Sequence, residues 1–165
     1  MPETPGPGAP AARPHLTGTV VHGAGRGHGL GFPTANIAAG PDSPVPPAAV
    51  YSGWVVRHRT GAVHPATISV GSNPTFCDTA DVHVEAYCHD LAEDVYGERV
   101  TVWFAERIRD TVKFPSPAAL VRAVREDVRR SEAVLASDHG RRVREDALAA
   151  HRTTGTAHRT TGTAP

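Results

Sequence analysis

At 165 residues the chain is long enough for one domain with a real core, with residues to spare for tails. Its 17 Lys and Arg balance 17 Asp and Glu, which excludes the broad basic footprint of a nucleic-acid binder. No run approaches the ~18 apolar residues of a membrane span, and no secretory leader pattern is visible. Cys77 and Cys88 lack C-x-x-C spacing, and none of the 10 histidines falls in an H-x-x-x-H or H-E-x-x-H pattern. These features predict a cytoplasmic protein with reduced thiols as small apolar fillers, no zinc site and no membrane partner.

Residues 1–14, rich in Pro, Gly and Ala, predict a disordered tail. Thr17–His22 reads as a strand leading into a glycine run, where Gly23, Gly25, Gly27 and Gly29 alternate with single residues and Gly31 follows. Such a run holds no regular helix or strand but lets another group approach the backbone closely. It matches neither G-x-x-x-x-G-K-[ST] nor G-x-G-x-x-G. It stops at Phe32-Pro33-Thr34-Ala35-Asn36. On extended backbone Thr34 and Asn36 point to one side, presenting two neutral oxygen ligands of the kind a magnesium–nucleotide complex takes. The same pair would also suit a turn that hydrogen-bonds its own backbone.

Pro41 to Pro47 predicts a loop, and Val50–Val56 and Ala66–Val70 predict strands. Val82–Cys88 alternates, with Val82, Val84, Ala86 and Cys88 on one face and His83, Glu85 and Tyr87 on the other. Arg99–Ile108 is apolar at nearly every position, as in a strand covered on both sides. Short strands at close spacing favour an antiparallel barrel or sandwich over a parallel sheet. One long helix follows, capped by Ser116 with Pro117 at its first position and an apolar stripe of Leu120, Val124, Val128 and Leu135. Ser137-Asp138-His139-Gly140 is expected to end it, with a short helix within 138–150. His151–Ala157 reads H-R-T-T-G-T-A and His158–Ala164 repeats it, so 151–165 predicts a disordered low-complexity tail. The domain proper is then 15–137.

The string R-G-x-x-L-G-F-P-T-A-N-I, from Arg26 to Ile37, resembles the signature of riboflavin kinases, including the kinase module of bifunctional bacterial FAD synthetases. The resemblance continues through V-E-A-Y-C-H-D and D-V-Y-G, around Glu85 and Tyr96, and through G-S-N-P-T-F at Gly71 to Phe76, covering roughly residues 16–135. It implies a mainly β fold: a six-stranded antiparallel Greek-key barrel with one long C-terminal helix. The implied reaction transfers the γ-phosphoryl of ATP to the 5′-hydroxyl of riboflavin, with Mg²⁺, and stops at FMN because no adenylyltransferase module or H-x-G-H motif is present.

By the same resemblance Thr34 and Asn36 are metal ligands. Gly23, Gly25, Arg26, Gly27, Gly31 and Pro33, with Thr34 and Asn36, bind ATP. Glu85, by its strand position alone a solvated surface carboxylate, becomes the base. Ile108, Arg109, Thr111 and Phe114 contact the flavin, while Asp90, Asp94 and Tyr96 shape the turn after the Glu85 strand. A monomer is expected. Three positions depart from the family pattern: His28 stands where a basic residue is common, Thr111 where glutamate is usual, and Ala49 where the family has glycine. They motivate an alternative, a flavin-binding module that senses or sequesters without turnover.

Overall fold

Alternation along V-H-V-E-A-Y-C and A-T-I-S-V demands a sheet with one face in a core. The computed structural model, which describes residues 13–23, 29–40, 43–72 and 82–157, closes that sheet on itself. Its strands are β1 (His15–Val21), β2 (Ala35–Ala39), β3 (Ala49–Arg57), β4 (Val63–Ser72), β5 (Val82–Cys88) and β6 (Arg99–Arg109). They form a barrel in the order β1-β2-β5-β4-β3-β6, every neighbour antiparallel. Helices α1 (Pro117–Ala136) and α2 (Asp138–Ala157) follow. No helix among the described residues is long and apolar enough to cross a membrane.

Every second residue fills the barrel. Leu16 and Val20 come from β1, Ile37 from β2, Ile68 and Val70 from β4, Val84, Ala86 and Cys88 from β5, and Val100 and Val102 from β6. Val82, expected on that face, lies at the strand end and is 47% exposed. Burial pushes the Cys88 thiol up to about 12, so this cysteine is an inert filler. Cys77 lies outside the described residues.

A second apolar cluster sits outside the barrel. The helices cover β3 and β6 there, joining Trp54, Val56 and Trp103 to Leu135, Val143 and Ala147. This double cover explains why all nine residues of β3 are buried and why Val100–Phe104 reads as a continuous apolar run.

Four sequence expectations change. Ala35–Ala39 is a strand that composition hid, because its alanines have weak β preference and pairing to β1 and β5 holds it instead. Arg13 and Pro14 are not tail: the Arg13 guanidinium pairs with Asp146, and Phe104 N–H donates to the Pro14 carbonyl at 3.0 Å. Two helices of 20 residues each replace one long helix and a short one. Only Ser137 separates them. Its hydroxyl donates to the Val134 carbonyl at 2.6 Å and accepts from Gly140 N–H at 3.2 Å, capping both. Finally, α2 continues past residue 150 through the first H-R-T-T-G-T-A copy, where Thr153 and Thr154 hydroxyls bond back to the Ala149 and Ala150 carbonyls. The second copy lies outside the described residues.

The helix junction is tight. Trp54 Nε1 donates to the Gly140 carbonyl at 3.0 Å, and a Cβ on Gly140 would sit 2.4 Å from the Val134 carbonyl oxygen. Backbone on the facing helix cannot yield as a side chain would. Gly140→Ala should therefore lower stability by roughly 1–3 kcal/mol, the range for overpacking, measured by urea denaturation with the fluorescence of Trp54 and Trp103 as the probe.

Arg57, 3% exposed, donates to Glu98 at 2.9 and 2.7 Å, and Arg59 also donates to the Glu98 Oε1. Those Arg57 hydrogen bonds are the main reason that the Glu98 carboxyl falls from 4.5 to about 2. A depressed carboxylate stabilises the fold above its unfolded value and loses that contribution as pH falls through its folded one. Thermal stability should thus decline between pH 4.5 and about 2, with a shallower decline in Glu98→Gln.

Candidate functional site

Directly opposed residues on antiparallel strands project from one face. The register aligns Asn36 with Glu85, Glu85 with Ser69, Ser69 with Val50, and Val50 with Arg109. This row crosses β2, β5, β4, β3 and β6 on the outside of the barrel, because Val84, Ala86, Ile68 and Val70 take the inside.

A cavity of about 340 Å³ opens over the row. Its floor holds Glu85, Ser69, Thr67, Tyr87 and Val50. Its walls are Phe32 and Thr34 on one side, Thr111, Val112 and Phe114 after β6 on another, and Leu120, Val121, Val124 and Asp127 of α1 above. The volume and the largely apolar lining with a few polar groups suit a flat organic ligand.

Arg109 is not a free cation there. Its Nε lies 2.8 and 3.1 Å from the two Asp127 oxygens and its Nη2 2.7 Å from one of them, with the guanidinium 5.4 Å over the Phe114 ring. Each partner fixes another wall: Asp127 belongs to α1 and Phe114 to the loop before it.

The second cavity, about 440 Å³, lies beside the first and is lined by His22, Gly23, Pro33, Thr34, Asn36, Glu93, Asp94 and Tyr96. The His22 ring stacks on Tyr96 at 3.6 Å, and Asp94 Oδ1 accepts from Tyr96 N–H at 2.9 Å, the turn expected after β5. The Gly23 backbone lies so close to Asn36 that a Cβ would sit 2.0 Å from its amide nitrogen. Thr34 lines both cavities and stands 3.5 Å, Oγ1 to Oε2, from Glu85.

Thus Thr34, Asn36, Gly23, Pro33, Glu85, Arg109, Thr111 and Phe114 lie together at this paired site. Ile108 does not: it is buried at 6% exposure and lines neither cavity. Gly31 lines neither, and its φ of +86° shapes the turn into Phe32. Gly25, Arg26, Gly27 and His28 fall outside the described residues, as does the loop of residues 73–81.

Thr67, Ser69 and Asp127 were missed. The first two were available from parity, being the polar positions of A-T-I-S-V. The buried face of α1 carries Asp127, Ser131 and Leu135, so a carboxylate sits on the helix's inner stripe where Val128 was expected. A buried acid among apolar neighbours signals a partner.

The donor set fits a hard cation. Thr34 and Asn36 offer neutral oxygens, and no group of three or more His, Cys, Asp and Glu among the described residues could hold a metal alone. A divalent ion would complete its shell with phosphate and water, as magnesium does in nucleotide sites.

Removing one partner of a buried ion pair strands the other and costs about 3–5 kcal/mol. Arg109 is 23% exposed, so water recovers part of this. Asp127→Ala should lower stability by about 2–4 kcal/mol in denaturant titrations.

The profile of the flavokinase family, described as riboflavin kinase, matches residues 11–135. Human riboflavin kinase is 31% identical over 133 residues, covering 78% of this chain and 85% of that protein. The bifunctional riboflavin kinase/FMN adenylyltransferase of Listeria monocytogenes is 34% identical over 125 residues, 74% of this chain, and the chain spans 39% of that relative's length. Among solved structures, the riboflavin kinase of Trypanosoma brucei superposes with a TM-score of 0.60 at 26% identity, covering 94% of this chain and 96% of that one.

Proposed function

Because this chain belongs to the riboflavin kinase family, we propose that it transfers the γ-phosphoryl group of ATP to the 5′-hydroxyl of riboflavin, giving FMN and ADP. The observation that carries this reading is the position of Thr34. It belongs to both cavities and lies 3.5 Å from Glu85. Two substrates bound on either side would meet at that residue.

Phosphoryl transfer asks mainly for alignment and charge neutralisation. Riboflavin occupies the smaller cavity with its ring system against Phe114, Val112 and the apolar face of α1, and its ribityl chain toward Glu85. Arg109 serves as wall rather than as counter-ion, since Asp127 holds it. ATP occupies the larger cavity with its phosphates toward Gly23, Thr34 and Asn36. Gly23 lines that cavity, and its missing side chain leaves the room that Asn36 occupies. Thr34 and Asn36 would hold Mg²⁺, which neutralises charge on the transferring phosphoryl group.

Glu85 accepts the proton of the 5′-hydroxyl as that oxygen bonds to the γ-phosphorus and the bond to the ADP oxygen breaks. Its carboxylate has no cation partner among the described residues, so it is available for this task. A module that only sequestered flavin would not need this carboxylate beside a threonine–asparagine pair, and the convergence favours turnover.

Incubation with riboflavin, ATP and Mg²⁺ should yield FMN on chromatography. Glu85→Gln should lower kcat by ~10²- to 10⁴-fold, the usual contribution of a general base, with riboflavin fluorescence quenching retained. Absence of FMN from the wild-type protein overturns the kinase reading, and an unchanged rate in Glu85→Gln removes that residue from the mechanism.

A further inference from the structure

A third cavity, about 160 Å³, lies on the outer face of β1, β6 and the end of β3, under the C-terminal half of α2. It is smaller than the ~300 Å³ at which organic-ligand pockets begin. Its chemistry differs from that of the paired site. Three imidazoles (His15, His58, His151), the Arg99 guanidinium and the hydroxyls of Thr17, Thr101 and Thr154 face it, and no carboxylate does.

Each element packed there contributes positive or donor character. From β1, His15 is stacked on Trp103 at 4.4 Å with Nδ1 2.9 Å from the Arg13 carbonyl. From the end of β3, His58 places Nε2 2.8 Å from Thr101 Oγ1, which in turn is 2.7 Å from Thr17 Oγ1. From β6 comes Arg99, with no carboxylate in ion-pair reach among the described residues. From α2, the first H-R-T-T-G-T-A copy supplies His151 and Thr154, and the His151 ring is 5.6 Å from that of His58. The nearby acids are engaged elsewhere: Asp146 with Arg13, and Glu98 with Arg57 and Arg59.

We propose that this cavity binds a small tetrahedral oxyanion of the phosphate class, held by Arg99, His58 and His151 and linking α2 to the barrel. A cation is disfavoured by the fixed charge of Arg99 and by the absence of a metal-holding cluster among the described residues. Burial, His151 and Arg99 all lower the proton affinity of His58, so the empty cavity disfavours its protonated form. An anion reverses the balance, because opposite charge nearby favours the protonated ring. Binding therefore takes up a proton and strengthens as pH falls.

Calorimetric titration of the full chain with sulfate, whose charge is constant between pH 6 and 8, tests this without the complication of phosphate's own titration. Inorganic phosphate serves as a second probe. The expected result is one saturable site, tighter at pH 6 than at pH 8 because binding takes up a proton. Arg99→Gln and His151→Gln should each weaken it at least tenfold while FMN formation stays unchanged. Asn36→Ala, which alters the proposed nucleotide site, should leave sulfate affinity intact. No saturable binding, indifference to both the Arg99 and His151 substitutions, or loss of binding in Asn36→Ala would overturn the proposal, the last by placing the ion at the catalytic site. Circular dichroism of each variant confirms that the fold is retained, and either of the two cavity variants suffices if the other does not fold.

Discussion

Backbone hydrogen bonding between β2 and β5 places Asn36 opposite Glu85, and most of the site follows from that pairing. A slip of one residue would turn Glu85 into the barrel and bring Val84 or Ala86 out in its place. The interior forbids it: Ile37, Val84, Ala86, Ile68 and Val70 are each at most 5% exposed, and an inward carboxylate would be buried without a partner. Apolar packing on one face thus fixes the register that assembles polar chemistry on the other.

The helices extend the same logic outward. Trp54 and Trp103 bind the barrel to α1 and α2 through an apolar cluster, and Arg109–Asp127 adds a charged fastening at the edge of the cavity. Since α1 forms one wall of the flavin-sized cavity, whatever fixes its angle fixes the width of that cavity. The Thr67 hydroxyl, 3.0 Å from Ser131 and 2.9 Å from His89, is a further tie between α1 and the sheet. Only Ser137 separates α1 from α2, leaving little slack between them.

Much of this was legible in the chain. The alternation of Val82–Cys88 gave the strand bounds and the outward face of Glu85, and Ser116-Pro117 marked the start of α1, where Ser116 Oγ accepts from Ala119 N–H. The spacing of Thr34 and Asn36 gave their shared direction, but nothing local could say that Glu85 would lie opposite. That fact belongs to pairing between distant segments. β2 was hidden because alanine carries little strand preference, and Asp127 because an apolar stripe was traced through Val128. The extension of α2 was missed because a Thr- and Gly-rich repeat reads as tail. In the fold, its hydroxyls satisfy helix carbonyls and its histidine packs beside His58.

On β4 and β5 the polar residues that line the first cavity sit on the outer face of the barrel, which has a consequence for how this chain can change. Along β4 and β5 even-numbered residues such as Ile68, Val70 and Val84 fill the interior, while odd-numbered ones such as Thr67, Ser69, Glu85 and Tyr87 line the first cavity. Cavity surface and core packing are thereby written largely on separate letters of the same strand. Ser69 and Tyr87 can drift without disturbing the core, whereas Thr67 cannot, because it lines the cavity and also ties the sheet to Ser131 of α1.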